Sequence, residues 1–159
     1  MKLDGGCSCG SVRYTLTAPP LIVHACHCRD CQRITGSAFV VNIWIEREFV
    51  ELKSGELKSH RLPTGSGKSQ DVFFCGRCGT HVWSKYQASP GDTVMVRVGT
   101  LDDPAAVKPD VHIYTRSKMP WVALSTDVPS FEEFYPLREV WRPESLARFE
   151  ANRRKTAGS

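Results

Sequence analysis

Short stretches of alternating apolar and polar residues run through most of the chain and predict a protein built of strands. Val12, Tyr14 and Leu16 alternate with polar partners, the period-2 pattern of a half-buried strand. Ala38 to Ile45 is apolar on both faces apart from Asn42, as a strand covered on both sides requires. The pattern continues over 49–53, 57–62, 72–74, 81–86, 93–98 and 111–114, with Gly55, the 63–67 segment and Ser89-Pro90-Gly91-Asp92 as turns between them. One longer helix is predicted near the end. It opens at Pro143 with Glu144 beside it, carries Leu146 and Phe149 three apart, and stops near Asn152. The run Arg153-Arg154-Lys155 and the residues after it then read as a frayed, solvated tail. The expected fold is mainly β, with 1–140 as one domain and 141–159 as the C-terminal helix and basic tail.

Composition narrows the class. A chain of 159 residues sustains one hydrophobic core, and its 41% apolar and 24% charged content excludes a mainly disordered protein. No apolar run approaches the ~20 residues of a bilayer-spanning helix. The opening Met1-Lys2-Leu3-Asp4-Gly5-Gly6 has no apolar leader, so a cytoplasmic location is expected.

The seven cysteines change the picture most. They fall in three groups, Cys7-x-Cys9, Cys26-x-Cys28-x-x-Cys31 and Cys75-x-x-Cys78, with none outside. Disulfides fit poorly: the count is odd, no secretion signal is present, and cysteines two apart are badly placed to bridge each other. Clustered thiolates also suit iron–sulfur ligation, but a set of four plus a set of three matches zinc better. Zinc takes four thiolates when structural and keeps a position open when catalytic. Phe74-Cys75-Gly76-Arg77-Cys78-Gly79-Thr80 has the form of a zinc knuckle, and Cys7-Ser8-Cys9-Gly10 is its natural partner. Together they predict a four-thiolate structural site.

Cys26, Cys28 and Cys31 then remain as a three-sulfur tripod on a loop or short helical turn. Its fourth position is either open or closed by His24 or His27. Alternation along the chain points His27 away from its cysteine neighbours and favours the open form. Three thiolates on a divalent ion carry one net negative charge, which Arg29 and Arg33 are placed to offset. The formal chain charge of +4 shrinks once seven cysteinates hold two zinc ions, so it is a weak reason to invoke nucleic acid. Gly67-Lys68-Ser69 lacks the earlier glycine of a phosphate-binding loop, Leu62 standing in its place. Asp102 and Asp103, beside Pro104, read as a turn.

In order along the chain, several motifs now resemble the family of glutathione-dependent formaldehyde-activating enzymes, which includes centromere protein V. They are Gly6-Cys7-Ser8-Cys9-Gly10 with Val12-Arg13-Tyr14; Cys26-His27-Cys28-Arg29-Asp30-Cys31-Gln32-Arg33 running into Gly36-Ser37-Ala38-Phe39; Gly55-Glu56-Leu57; the 74–80 knuckle; and His112-Ile113-Tyr114 with Lys118-Met119-Pro120-Trp121. The resemblance implies an Mss4-like, zinc-stapled β-sandwich of short antiparallel strands with a short C-terminal helix. It implies structural zinc on Cys7, Cys9, Cys75 and Cys78 and a labile catalytic zinc on Cys26, Cys28 and Cys31. The implied reaction joins a small thiol, glutathione, to a small aldehyde, formaldehyde, and belongs to the carbon–sulfur lyases. Arg33, Ser37, His112 and Trp121 are the candidates for shaping the substrate pocket. The reading from another class is a non-catalytic zinc-stabilised module that binds protein or nucleic acid, with Lys53, Lys58, Arg61 and the C-terminal arginines as its basic stripe.

Overall fold

The structure, a computed structural model, describes residues 2–158; Met1 and Ser159 lie outside the described residues. Ten strands form two sheets, with a few helices. The strands are β1 (Leu3–Gly6), β2 (Arg13–Leu16), β3 (Ile22–Cys26), β4 (Val40–Glu46), β5 (Val50–Ser54), β6 (Leu57–Pro63), β7 (Ser69–Cys75), β8 (His81–Tyr86), β9 (Thr93–Arg97) and β10 (Val111–Ile113). The helices are α1 (Arg29–Thr35), α2 (Leu137–Val140) and α3 (Pro143–Ala157). The small sheet has the order β1-β2-β5 and the large one β10-β3-β4-β9-β8-β7-β6.

The mainly β expectation holds, and β4 shows why. It lies between β3 and β9, and its alternate side chains enter two different cores. Ile43 and Ile45 join Val23, Val94 and Val96 against Tyr14, Leu16 and Val50 of the small sheet. Val40 and Trp44 face the other way, into a cluster with Ile22, Ile113, Tyr135, Trp141 and Phe149. A strand covered on both faces has no polar side to present, which is why 38–45 reads as continuously apolar.

Two strands escape the period-2 pattern. In β3, Ile22–Cys26, every residue is buried, so apolar and polar positions do not alternate. In β1 the sequence is Leu-Asp-Gly-Gly, too short and too small to show a face. The pairing also departs from a purely antiparallel sandwich: β10 runs parallel to β3, with Ile113 opposite Cys26.

The C-terminal helix does not stop at Asn152; it continues to Ala157. Contacts at Asn152 and beyond accompany the additional turn. Asn152 Oδ1 accepts the Asp92 amide at 2.8 Å, Lys155 pairs with Glu48 at 2.7 Å, and Thr156 Oγ1 donates back to the Asn152 carbonyl at 3.2 Å. Arg154 and Lys155 in the last turn also complement the helix dipole. One turn earlier, Phe149 is buried against Trp44 and Trp141, and Arg148 pairs with the buried Glu46 at 2.6 Å. Helix and tail are thus one element docked on the large sheet.

Candidate metal centres

The four-cysteine group forms where two turns meet. Cys7 and Cys9 lie in the turn between β1 and β2, while Cys75 ends β7 and Cys78 follows it in the turn to β8. Each turn closes on itself: Gly10 N–H donates to the Cys7 carbonyl at 3.0 Å and Gly79 N–H to the Cys75 carbonyl at 2.9 Å. Gly10 and Gly79 sit at φ of 74° and 75°, the left-handed region that costs other residues about 1–2 kcal/mol. The glycine after each cysteine pair is therefore a backbone requirement. A hydroxyl couples the turns, since Thr80 Oγ1 accepts the Ser8 amide at 3.1 Å and lies 3.1 Å from Cys78 Sγ.

The four sulfurs lie within 4.8 Å of one another, as free thiols. Cys7 and Cys9 are 3.5 Å apart, and Cys9 and Cys75 3.9 Å. A tetrahedral zinc with sulfurs at about 2.3 Å needs sulfur–sulfur edges of about 3.8 Å, so the donor set fits that ion. Ser11 Oγ stands 3.1 Å from Cys9 Sγ and 3.3 Å from Cys75 Sγ, a polar neighbour that its sequence gives no sign of. Burial pushes the Cys7 thiol up, but hydrogen bonds from the Val12 amide, Ser11 and the adjacent sulfurs outweigh it and bring it down to about 5.

The three-cysteine group comes from a single short segment. Cys26 ends β3, Cys28 is the N-cap of α1, and Cys31 sits in its first turn with its amide 3.4 Å from Cys28 Sγ. The three sulfurs again lie within 4.8 Å of one another. Cys26 is buried and the other two are half-buried. Hydrogen bonds from the Cys26 and Cys31 thiols draw Cys28 down to about 3. Hydrogen bonds with Cys28 and Cys31, and then burial, push Cys26 up. For Cys31 the bond with Cys26 lowers the thiol, yet Cys28 and burial prevail and raise it to about 12.

Neither histidine joins it among the described residues. His24 Nε2 is 2.5 Å from Tyr135 Oη, itself bonded to Trp141 Nε1 at 2.8 Å. His27 turns to the opposite face of the sheet from Cys26, where its Nε2 meets His112 Nδ1 at 3.1 Å and its ring packs on Phe39. The buried amide of Gln32 donates to the His27 carbonyl at 2.8 Å and to the Ser117 carbonyl at 2.9 Å, tying α1 to the turn after β10. At the start of that turn Tyr114 has a left-handed backbone, φ 56°, and its phenol is pushed up first by burial and then by the charges of Cys26 and Cys28. Such an outlier belongs to positions whose surroundings over-determine the backbone.

The remaining sequence candidates are dispersed. Arg33 is exposed on α1, and Ser37 is exposed with its hydroxyl on the Phe39 carbonyl at 2.5 Å. His112 is engaged with His27, and Trp121 is 75% exposed. The cation facing the tripod is instead Arg97 of β9. Sequence reading missed it because nothing local distinguishes it from any other strand arginine. Of the basic stripe, Lys53 pairs with Glu51 and Arg61 with Asp71. Two surface hollows, one along Arg61, Lys68 and Gln87 and one along Gly91 and Arg153, include no cysteine.

Residues 2–117 match the family described as glutathione-dependent formaldehyde-activating enzyme. A Halomonas elongata protein, named provisionally as a glutathione-dependent formaldehyde-activating enzyme, is 24% identical over 131 residues, covering 79% of this chain and 83% of its own. A crystal structure of a Rhodobacter sphaeroides protein is similar with a TM-score of 0.49 and 21% identity, over 67% of this chain and 91% of that one. No helix among the described residues is long and apolar enough to cross a membrane.

Proposed function

The chain belongs to the glutathione-dependent formaldehyde-activating enzyme family, and from that premise we propose a zinc-dependent carbon–sulfur lyase that joins a small thiol such as glutathione to a small aldehyde. The observation that carries this reading is the inequality of the two sulfur groups: four donors complete a tetrahedral ion, whereas three leave one position for an outside ligand. We assign structural zinc to Cys7, Cys9, Cys75 and Cys78 and catalytic zinc to Cys26, Cys28 and Cys31. A metal on the tripod supplies a position where an incoming thiol is bound as its nucleophilic thiolate.

The other tasks fall to the chain. In the addition a carbon–sulfur bond forms, the carbonyl π bond breaks, and the thiol proton ends on the former aldehyde oxygen. We assign Tyr114, which packs against the same cluster as Cys28 and Cys31 and whose phenol is pushed up by burial and then by the charges of Cys26 and Cys28, to that oxygen: its Oη would donate a hydrogen bond to it as charge develops. Gln32 fixes the Tyr114 turn relative to α1, so that donor and tripod keep their separation. The reverse reaction uses the same groups.

The test is zinc per chain before and after mild chelation, with glutathione binding followed on both samples by calorimetry and turnover corrected for the uncatalysed addition. Two zincs falling to one, with thiol binding and turnover lost together, is the expected result. Two zincs that both resist chelation, with no thiol bound, would overturn the reading.

A further inference from the structure

Arg97 is 5% exposed, and among the described residues no carboxylate lies within ion-pair distance of it. Its Nη1 donates to Asn42 Oδ1 and its Nη2 to Ser84 Oγ at 3.1 Å, with His81 Nε2 at 3.3 Å, while Nε is buried without a partner. Asn42 and Ser84 satisfy hydrogens without offsetting charge, and His81, whose Nε2 also meets the Trp83 carbonyl at 3.0 Å, brings no negative charge. A buried guanidinium is costly unless an anion faces it.

The sheet register identifies that anion. Cys26 is paired with Val40, and Asn42, two residues further along β4, is paired with Arg97. Directly paired residues and those two apart share a face, so Arg97 and Cys26 project from the same side of the large sheet. They are two strands and one register step apart, roughly 12 Å between backbones, and the Arg97 guanidinium lies on that face between Asn42 of β4 and Ser84 of β8. Burial pulls the Arg97 guanidinium down, and the charges of Cys31, Cys26 and Cys28 act against that pull.

We infer that Arg97 is the built-in counter-charge of the three-cysteine site, and that it selects a thiolate over a neutral molecule as the fourth ligand. This rests on the reading of that site as a metal-held thiol site. Three thiolates on a divalent ion leave one negative charge, and an incoming thiolate makes two; Arg97 offsets that added charge, whereas a neutral ligand gains nothing from it. Asn42 and Ser84 are its positioning residues, holding two of its nitrogens and leaving its charge unneutralised.

The test loads Co2+ into the labile site after mild chelation and titrates 2-mercaptoethanol, whose only ionisable group near neutrality is its thiol, and separately imidazole, by visible absorption. Arg97→Met is expected to weaken thiol binding by about tenfold or more and imidazole binding by less than about twofold. Arg97→Lys keeps the charge and stays within about threefold of the wild type for both ligands. Asn42→Asp leaves Arg97 in place but gives it a carboxylate partner, and should lose thiol affinity as Arg97→Met does. Retention of one tightly held metal and an unchanged melting profile check the fold. Should Arg97→Met fail to fold, Asn42→Asp carries the test. Equal losses for both ligands, no loss for the thiol, or unchanged thiol affinity in Asn42→Asp would overturn the inference. A wild-type protein that takes up no second metal would instead overturn the reading of the site, so the two failures are separable.

Discussion

The four-cysteine group joins two turns far apart in sequence, each closed on its own left-handed glycine and bridged by hydroxyls, with Cys9 and Cys78 exposed. The three-cysteine group comes from one segment at a strand end and helix start, and its surroundings are a buried arginine, a phenol and a half-buried edge. Both gather sulfurs to the same spacing, yet only the first spans the fold. A metal that bridges distant segments is part of the folding free energy, whereas one held by a local tripod can leave without unfolding the chain. On the proposed reading the first is a staple and the second a workplace.

The largest effect should come from cutting the staple. Cys75→Ala removes a buried ligand and should leave the protein unfolded or aggregated, read by far-UV circular dichroism and soluble yield. Cys28→Ala should remove one metal and background-corrected turnover while the circular dichroism spectrum persists; equal loss of folding in both variants would dissolve the distinction. Tyr114→Phe should lower turnover by about 10²-fold with both metals retained, as removal of a single oxyanion donor does. Gln32→Ala should cost about 1–3 kcal/mol in denaturant unfolding, because the His27 and Ser117 carbonyls lose their donor. It should also speed release of the labile metal alone.

The last effect shows only in acid. Burial, assisted by the nearby Arg97 charge, brings His81 down from 6.5 to about 3. The folded state therefore binds this proton less readily than the unfolded chain. Its contribution to stability is complete above about pH 6.5 and is lost as pH falls toward 3. His81→Gln should flatten the stability profile of the wild type in that window, measured by denaturant unfolding at each pH.

Much of this was legible in residues alone. The half-buried strands announced themselves by alternation, β4 by a run that is apolar apart from Asn42, and the grouping of sulfurs by spacing and the glycines behind them. His27 was assigned to the far face by alternation, and the structure shows it with His112. What alternation could not reveal was any element defined by its neighbours. β3 is buried on both faces, β1 is too small to show a pattern, and the end of α3 meets Asp92 and Glu48, partners distant in sequence.

The sequence by itself determined the donor chemistry, because thiols two or three residues apart must share a small volume wherever the chain goes. It also determined the mainly β class, since period-2 burial is a local property. Only the tertiary structure decided which charge stands behind the tripod. Arg29 and Arg33 are near it in sequence, but both are exposed on α1, where water screens them. Arg97 is far away along the chain, yet it is buried on the sheet face that also carries Cys26, because β4 lies between β3 and β9 in a register that only the assembled sheet defines.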